Sequence, residues 1–281
     1  MIQKSYDNTP SLYIVPTPIG NLEDITLRAL TTLKKVDVIF AEDTRTTNVL
    51  LKHYDIKKKL ISNHIFNEDK MIVKAIDYLK KGRDIALVSD AGTPVISDPG
   101  YLLVNSAINE GYNVICLPGP TAIIPAVVMS GLAGGPFTYY GFLNNKESKR
   151  KQELEKLKNN KYPIVIYEAP HRLLNTLKNI LEVLGNRKIS IVREISKKHE
   201  EIIRDNVQNI INNYNNIKGE IVIVIEENKD VKKYDNLTIL DHINFYVEDG
   251  LLPKEAIKKV AKERNIPKSE VYNEYNRNKK S

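Results

Sequence analysis

The chain has 281 residues, 42% of them hydrophobic, which is enough to bury a sizeable core and favours two domains over one. No apolar run approaches the ~20 residues that cross a bilayer, the polar N-terminal segment is not a secretory signal, and one cysteine excludes an internal disulfide or a multi-cysteine zinc site, so a cytoplasmic protein is expected. The net charge of +7, from 42 Lys and Arg against 35 Asp and Glu, suits an anionic partner.

Leu12 to Val15 is a predicted strand that feeds the turn Pro16-Thr-Pro-Ile-Gly-Asn21. A helix follows, with Leu22, Ile25, Ala29, Leu30 and Leu33 at helical spacing. Val36 to Phe40 is the second strand and runs into Ala41-Glu-Asp-Thr-Arg45, then a helical segment through Tyr54. Leu60-Ile61 suggests a short strand, and Asn67 to Lys81 a helix that Gly82 ends. Ile85 to Val88 is an apolar run of the kind buried on both faces of a sheet. It opens into Ser89-Asp-Ala-Gly-Thr-Pro-Val-Ile-Ser97, a loop of mostly small residues, and Asp98-Pro99 reads as an N-cap with proline at the first helical position. Asn113 to Leu117 is a strand leading to Pro118-Gly-Pro-Thr-Ala122. Cys116 lies in its apolar run, so a packed, inert thiol is expected. This alternation predicts a parallel sheet with helices on both faces.

A second α/β unit follows. Thr121 to Leu132 is an apolar helix, Phe137 to Leu143 a strand, Glu147 to Lys158 a charged helix, and Pro163 to Tyr167 a strand ending in Glu168-Ala-Pro-His-Arg172. Lys188 to Glu194 and Gly219 to Glu226 are further strands, with a helix expected from Glu200 to Tyr214. Glu227 to Asp235 reads as a linker, and the tail beyond it as helical. Its helices at Pro253 to Arg264 and Lys268 to Asn276 fit either a helix-turn-helix or a hairpin that only packs.

Four loops at strand carboxyl ends share small residues and proline: 16–21, 89–99, 118–122 and 168–172. Such loops let main-chain groups approach a ligand, and together they argue for a cleft between two α/β units. No dinucleotide glycine fingerprint, P-loop or serine elbow is present, which disfavours ordinary dehydrogenases, P-loop NTPases and hydrolases. The five histidines lack paired metal spacing, so no metal is expected.

The ordered series Val15-Pro-Thr-Pro-Ile-Gly-Asn-Leu22, Glu42-Asp-Thr-Arg45, Ser89-Asp-Ala-Gly-Thr-Pro94 with Ser97-Asp-Pro-Gly100, Pro118-Gly-Pro-Thr-Ala122, Tyr167-Glu-Ala-Pro-His-Arg172 and Gly219-Glu-Ile-Val-Ile-Val224 resembles the tetrapyrrole methylase family. Pro-Thr-Pro-Ile-Gly in the first loop and Ser-Asp-Ala-Gly-Thr-Pro in the centre are similar to its RNA-modifying branch more than to its precorrin branch. The resemblance implies a two-domain class III methyltransferase fold, with an N-terminal α/β domain over 1–118, a second over 119–228, and a linker with a helix-turn-helix-like extension over 229–281. It implies S-adenosylmethionine in the interdomain cleft, and 2′-O-methylation of a cytidine ribose in the decoding region of 16S rRNA by a homodimer. Carried over by motif, Pro18, Asp90, Thr93, Thr121, Ala122, Tyr167, Gly219 and Glu220 would meet the cofactor. Glu42 or Asp43 is the candidate base for the 2′-hydroxyl, and Arg45, His171 and Arg172 are candidate RNA contacts. A precorrin-type small-molecule methylase and a non-catalytic RNA-binding protein on the same fold are the alternatives.

Overall fold

The computed structural model describes residues 2–5, 7–64, 67–214, 217–228, 237–264 and 266–278. Most of the expected linker therefore lies outside the described residues. Five strands, β1 (Ser11–Ile14), β2 (Val38–Ala41), β3 (Lys59–Ser62), β4 (Ile85–Val88) and β5 (Asn113–Cys116), form a sheet ordered β3-β2-β4-β1-β5, parallel throughout. Strand side chains alternate between its faces. Tyr13, Ile39 and Ala86 pack on α1 (Leu27–Lys35) and α2 (Thr44–His53). Leu12, Phe40 and Leu87 pack on α3 (Glu68–Lys80) and α4 (Tyr101–Asn109). That double burial is why these strands read as unbroken apolar runs. Cys116 departs from expectation. It ends the edge strand β5 and is exposed rather than packed.

The second sheet is mixed. Its strands are β6 (Thr138–Phe142), β7 (Ile164–Glu168), β8 (Lys188–Arg193), β9 (Glu201–Asn206) and β10 (Ile221–Ile225), ordered β6-β7-β10-β8-β9, with only β6 and β7 parallel. α5 (Ile123–Ser130) covers one face, while α6 (Glu147–Leu157), α7 (Leu173–Leu184) and α8 (Val207–Asn213) cover the other. The helix expected from Glu200 to Tyr214 is instead β9 followed by the short α8. β9 is an edge strand whose exposed Glu201 and Arg204 hide the alternation, and Ile203 pairs with Ile191.

Three helices, α9 (Ile239–Glu248), α10 (Pro253–Arg264) and α11 (Lys268–Asn278), enclose a core of their own around Ile243, Ile257, Val260 and Val271. The tail is thus a three-helix cluster, not a helix pair. Its acidic residues match its lysines and arginines in number between positions 237 and 278, so it carries no strong basic bias.

Candidate active site

The carboxyl ends of β1, β4 and β5 release three loops that are hydrogen-bonded to one another. Thr17 and Gly92 exchange both main-chain bonds at 2.9 Å, and the Thr93 hydroxyl donates to Pro120 O at 3.0 Å. Gly92 sits at φ +81°, a conformation side chains resist. At Gly119 an added Cβ would lie 2.7 Å from Pro16 Cβ, so this approach needs glycine.

Against these loops the second sheet presents Phe142, Tyr167, Ile195 and Val222, and the space between is a cleft of about 600 Å³. The Tyr139 and Ser97 hydroxyls meet at 2.7 Å across it, and Ser196 Oγ bonds Asp24 on the first unit. Tyr139 packs edge-on and Phe142 at a tilt against Tyr167, with ring centroids 5.3 and 5.4 Å away. Both facing segments hold non-glycine residues in left-handed conformation. Val95 and Ser97 lie at φ 80° and 69°, and Glu194 and Ser196 at 51° and 69°. For the β-branched Val95 this is a true outlier, of the kind that accumulates at ligand sites.

The first-unit wall is acidic. Glu42, Asp90 and Asp98 line it together. Burial, then repulsion from Glu42 and Asp90, pushes the Asp98 carboxyl up to about 6. Burial is also the leading cause that raises Glu42 and Asp90. Asp90 ties the loop after β4 to the one after β2: its Oδ1 accepts from Asp43 N at 3.2 Å, and its own N–H donates to Glu42 Oε2 at 3.4 Å. Among the described residues no His, Cys, Asp and Glu cluster has the makings of a metal site.

Of the cofactor residues expected from sequence, Asp90, Thr93, Thr121, Ala122, Tyr167 and Glu220 line this cleft. Pro18 does not. It faces a smaller adjoining pocket. Gly219 lies behind the wall at φ +90°, where a Cβ would meet Glu194 at 2.5 Å, and this lets Glu220 N donate to Glu194 Oε1 at 2.9 Å.

The two candidate bases part company. Glu42 lines the cleft, whereas Asp43 caps α2, accepts from Arg45 N at 2.8 Å and pairs with the Arg45 guanidinium at 2.7 Å. Those hydrogen bonds hold Asp43 at about 2, too acidic to take a proton from an alcohol. Arg45 and His171 are exposed. Arg172 is largely buried; it donates to Leu143 O at 2.7 Å and lies 3.1 Å from Glu168, so its charge is spent inside the second unit rather than offered to phosphate.

Asp98, Ser97, Phe142 and Ile195 line the cleft although the sequence assigned none of them a site role. Asp98-Pro99 carries a helix-start pattern, but α4 begins at Tyr101 behind Gly100 at φ 123°, and Gly100 N donates to Glu68 Oε1 at 3.0 Å. That leaves the Asp98 carboxyl in the cleft rather than on a helix end.

Residues 11–211 match the family model described as Tetrapyrrole (Corrin/Porphyrin) Methylases. The chain is 47% identical over 272 residues to the ribosomal RNA small subunit methyltransferase I of Bacillus subtilis, covering 94% of this chain and 93% of that one. It is 49% identical over 216 residues to the protein of the same name from Thermotoga maritima, covering 76% of this chain and 97% of that one. Among solved structures, the cobalt precorrin-4 methyltransferase superposes with TM-score 0.58 at 17% identity, over 80% of this chain and 98% of that chain. The uroporphyrin-III-C-methyltransferase of Thermus thermophilus gives 0.57 at 17%, over 77% and 94%. With six ordered motifs, two matching sheets and relatives this similar over nearly the whole length, the chain belongs to the tetrapyrrole methylase family.

Proposed function

We propose that the chain is an S-adenosylmethionine-dependent methyltransferase of small-subunit ribosomal RNA, and that it methylates the 2′-hydroxyl of a cytidine in the decoding region. The observation that carries the methyl-donor reading is the pairing of an acidic wall with an aromatic one. A sulfonium and an ammonium group are cations, and Glu42, Asp90 and Asp98 supply the opposite charge in a partly dry cleft. Phe142, Tyr167, Ile195 and Val222 form an apolar surface suited to a purine. The cleft, about 600 Å³, has room for one such molecule.

The residues that would hold the donor are Asp90, Thr93, Thr121 and Ala122 from the first loops, and Tyr167 and Glu220 opposite. When bound, S-adenosylmethionine supplies a methyl group on a sulfur that departs as a neutral thioether. The protein's share is alignment, because in-line displacement gains most from a held geometry. Glu42 accepts the proton released by the 2′-hydroxyl; its raised affinity for protons suits that task. Burial is the main cause of that affinity, and the like charges of Asp90 and Asp43 add to it.

The RNA reading draws support from relatives of 40–47% identity spanning nearly all of the chain, whereas the structures of tetrapyrrole methylases share only 15–18%. We also place the protein in the cytoplasm as a homodimer, with domain limits near 118 and 228. Exposed Tyr101, Ile124 and Val128 support the dimer; among the described residues no helix is long and apolar enough to cross a membrane. Calorimetry with S-adenosylmethionine, followed by label transfer to unmethylated small subunits, tests it. Donor binding without label in the RNA would return the reading to a small-molecule methylase, and no donor binding to an RNA-binding protein.

A further inference from the structure

Beside the donor cleft lies a second pocket of about 360 Å³, built by the first loop, the first turns of α2 and the start of the central loop. Pro18, Leu22, Val49 and Leu50 give it apolar walls, and Thr46 and Thr47 bring hydroxyls from α2. Asp90 lines both this pocket and the donor cleft, so the two share a wall.

Thr47 is the telling residue. It is 3% exposed, and its hydroxyl has no hydrogen-bond partner in the protein. A helical threonine can always turn back to the carbonyl four residues earlier, yet here Asp43 O receives only the Thr47 main-chain N–H. A buried hydroxyl left unpaired is costly, and Thr47 lines a pocket where a ligand can supply the partner. Just outside, the Arg45 side chain is 90% exposed and already oriented by Asp43. It stands on the first turn of α2, where the helix dipole also favours an anion.

We propose that this pocket takes the base of the acceptor nucleotide, turned out of its RNA strand, with Thr47 pairing its hydrogen-bonding edge and Arg45 meeting a flanking phosphate. The inference rests on the reading that the larger cleft holds S-adenosylmethionine. Two features favour a base. Apolar walls with a few polar groups suit a flat heterocycle. The shared Asp90 wall sets a ribose attached to that base beside Glu42, where the proton is removed. A base in this pocket also explains why Pro18, expected at the donor, faces here instead: it would pack on the ring.

The test uses two substitutions on α2 in the full-length protein, Thr47→Val, which keeps shape and removes the hydroxyl, and Val49→Trp, which crowds the pocket at a site 70% exposed and so tolerant of change. With unmethylated small subunits as substrate, Thr47→Val should raise KM about tenfold, the worth of one hydrogen bond of about 1.4 kcal/mol. Val49→Trp should lower kcat/KM by about a hundredfold or more. Calorimetric affinity for S-adenosylmethionine should stay within about twofold for both. If donor affinity falls in step with activity, the pocket holds part of the donor and the proposal is overturned. Native kinetics in both variants would overturn it equally, with circular dichroism confirming that each is folded. If the native protein binds no S-adenosylmethionine, the cofactor reading itself falls, an outcome distinct from the other two.

Discussion

Asp98 should stabilise the protein when its charge is removed. In the folded chain its carboxyl ionises near 6, against 3.8 for a free aspartate, chiefly because the cleft buries it and secondarily because Glu42 and Asp90 repel it. A carboxyl raised on folding favours its protonated form in the native state. The charged form is therefore a burden, present in full above about pH 6 and gone below about pH 4. At ~1.4 kcal/mol per pH unit the gap is worth about 3 kcal/mol at most. The side chain keeps some contact with water, so screening brings the expected figure to about 1–2 kcal/mol. Asp98→Asn removes the charge and keeps an oxygen for the Ser89 hydroxyl. Urea melts from pH 4 to 8 should show the variant more stable at pH 8, with the gain shrinking toward pH 4. Its affinity for S-adenosylmethionine should fall, since one of three negative groups facing a cation is gone. A gain that does not change with pH, or a loss of stability at pH 8, would refute the argument that the cleft holds a strained charge.

Glu42→Gln should lower kcat by about 10²–10⁴-fold and, since it too removes one of the three carboxylates lining the cleft, weaken donor binding as Asp98→Asn does, while Asp43→Asn, on a group already committed to Arg45, should cost far less; single-turnover label transfer at saturating donor separates them. Because burial raises Glu42, the native rate should drop as acid protonates it, and Glu42→Gln should erase that limb of the pH profile. Gly100→Ala would bring a methyl within 2.4 Å of the buried Leu87 side chain at φ +123°, and thermal melts should show a loss of about 2–4 kcal/mol. In the C-terminal cluster the buried His242 ring accepts from Arg264 Nε on Nδ1 and faces Glu263 with Nε2, each at 3.1 Å, so a neutral ring is built in. Burial and Arg264 lower its proton affinity, and the cluster should therefore loosen as pH falls through the unfolded histidine value of ~6.5, seen as faster amide exchange in α9 and α10. Removal of residues 237–281 should leave calorimetric donor affinity intact.

Elements buried on two faces were plain in the sequence, because nothing polar interrupts runs such as Ile85–Val88 or Ile221–Ile225. Glu201–Asn206 was not, since an edge strand with one inward isoleucine has the same look as a polar helix. The loops that form the cleft were legible from their small residues, and six of the eight donor residues expected from the resemblance line it. Asp98 was hidden by its neighbour. Aspartate before proline is the ordinary mark of a helix start, and only the turn through Val95, Ser97 and Gly100, all with positive φ, sends its carboxyl elsewhere. Arg172 misled in the opposite way. Its pairing with Glu168 is local to the motif Glu-Ala-Pro-His-Arg, but nothing there tells that the guanidinium also reaches Leu143 O. Side chains that answer to residues distant in sequence are the ones that local pattern fails to place.

The methyl-transfer machinery and the helical extension are separable on physical grounds. Every residue lining the two pockets belongs to the two sheet units, from Thr17 to Val222. The extension closes its own apolar core and satisfies its own buried polar groups, with Tyr246 donating to Glu263 at 2.8 Å beside His242. A unit that meets both demands internally needs no help from the sheets to stay folded. The Thermotoga maritima relative covers 76% of this chain in 97% of its own length. The small-molecule methylases cover 77–80%. The pocket proposed for the acceptor base lies within the sheet units as well, so loss of the extension should leave both pockets standing.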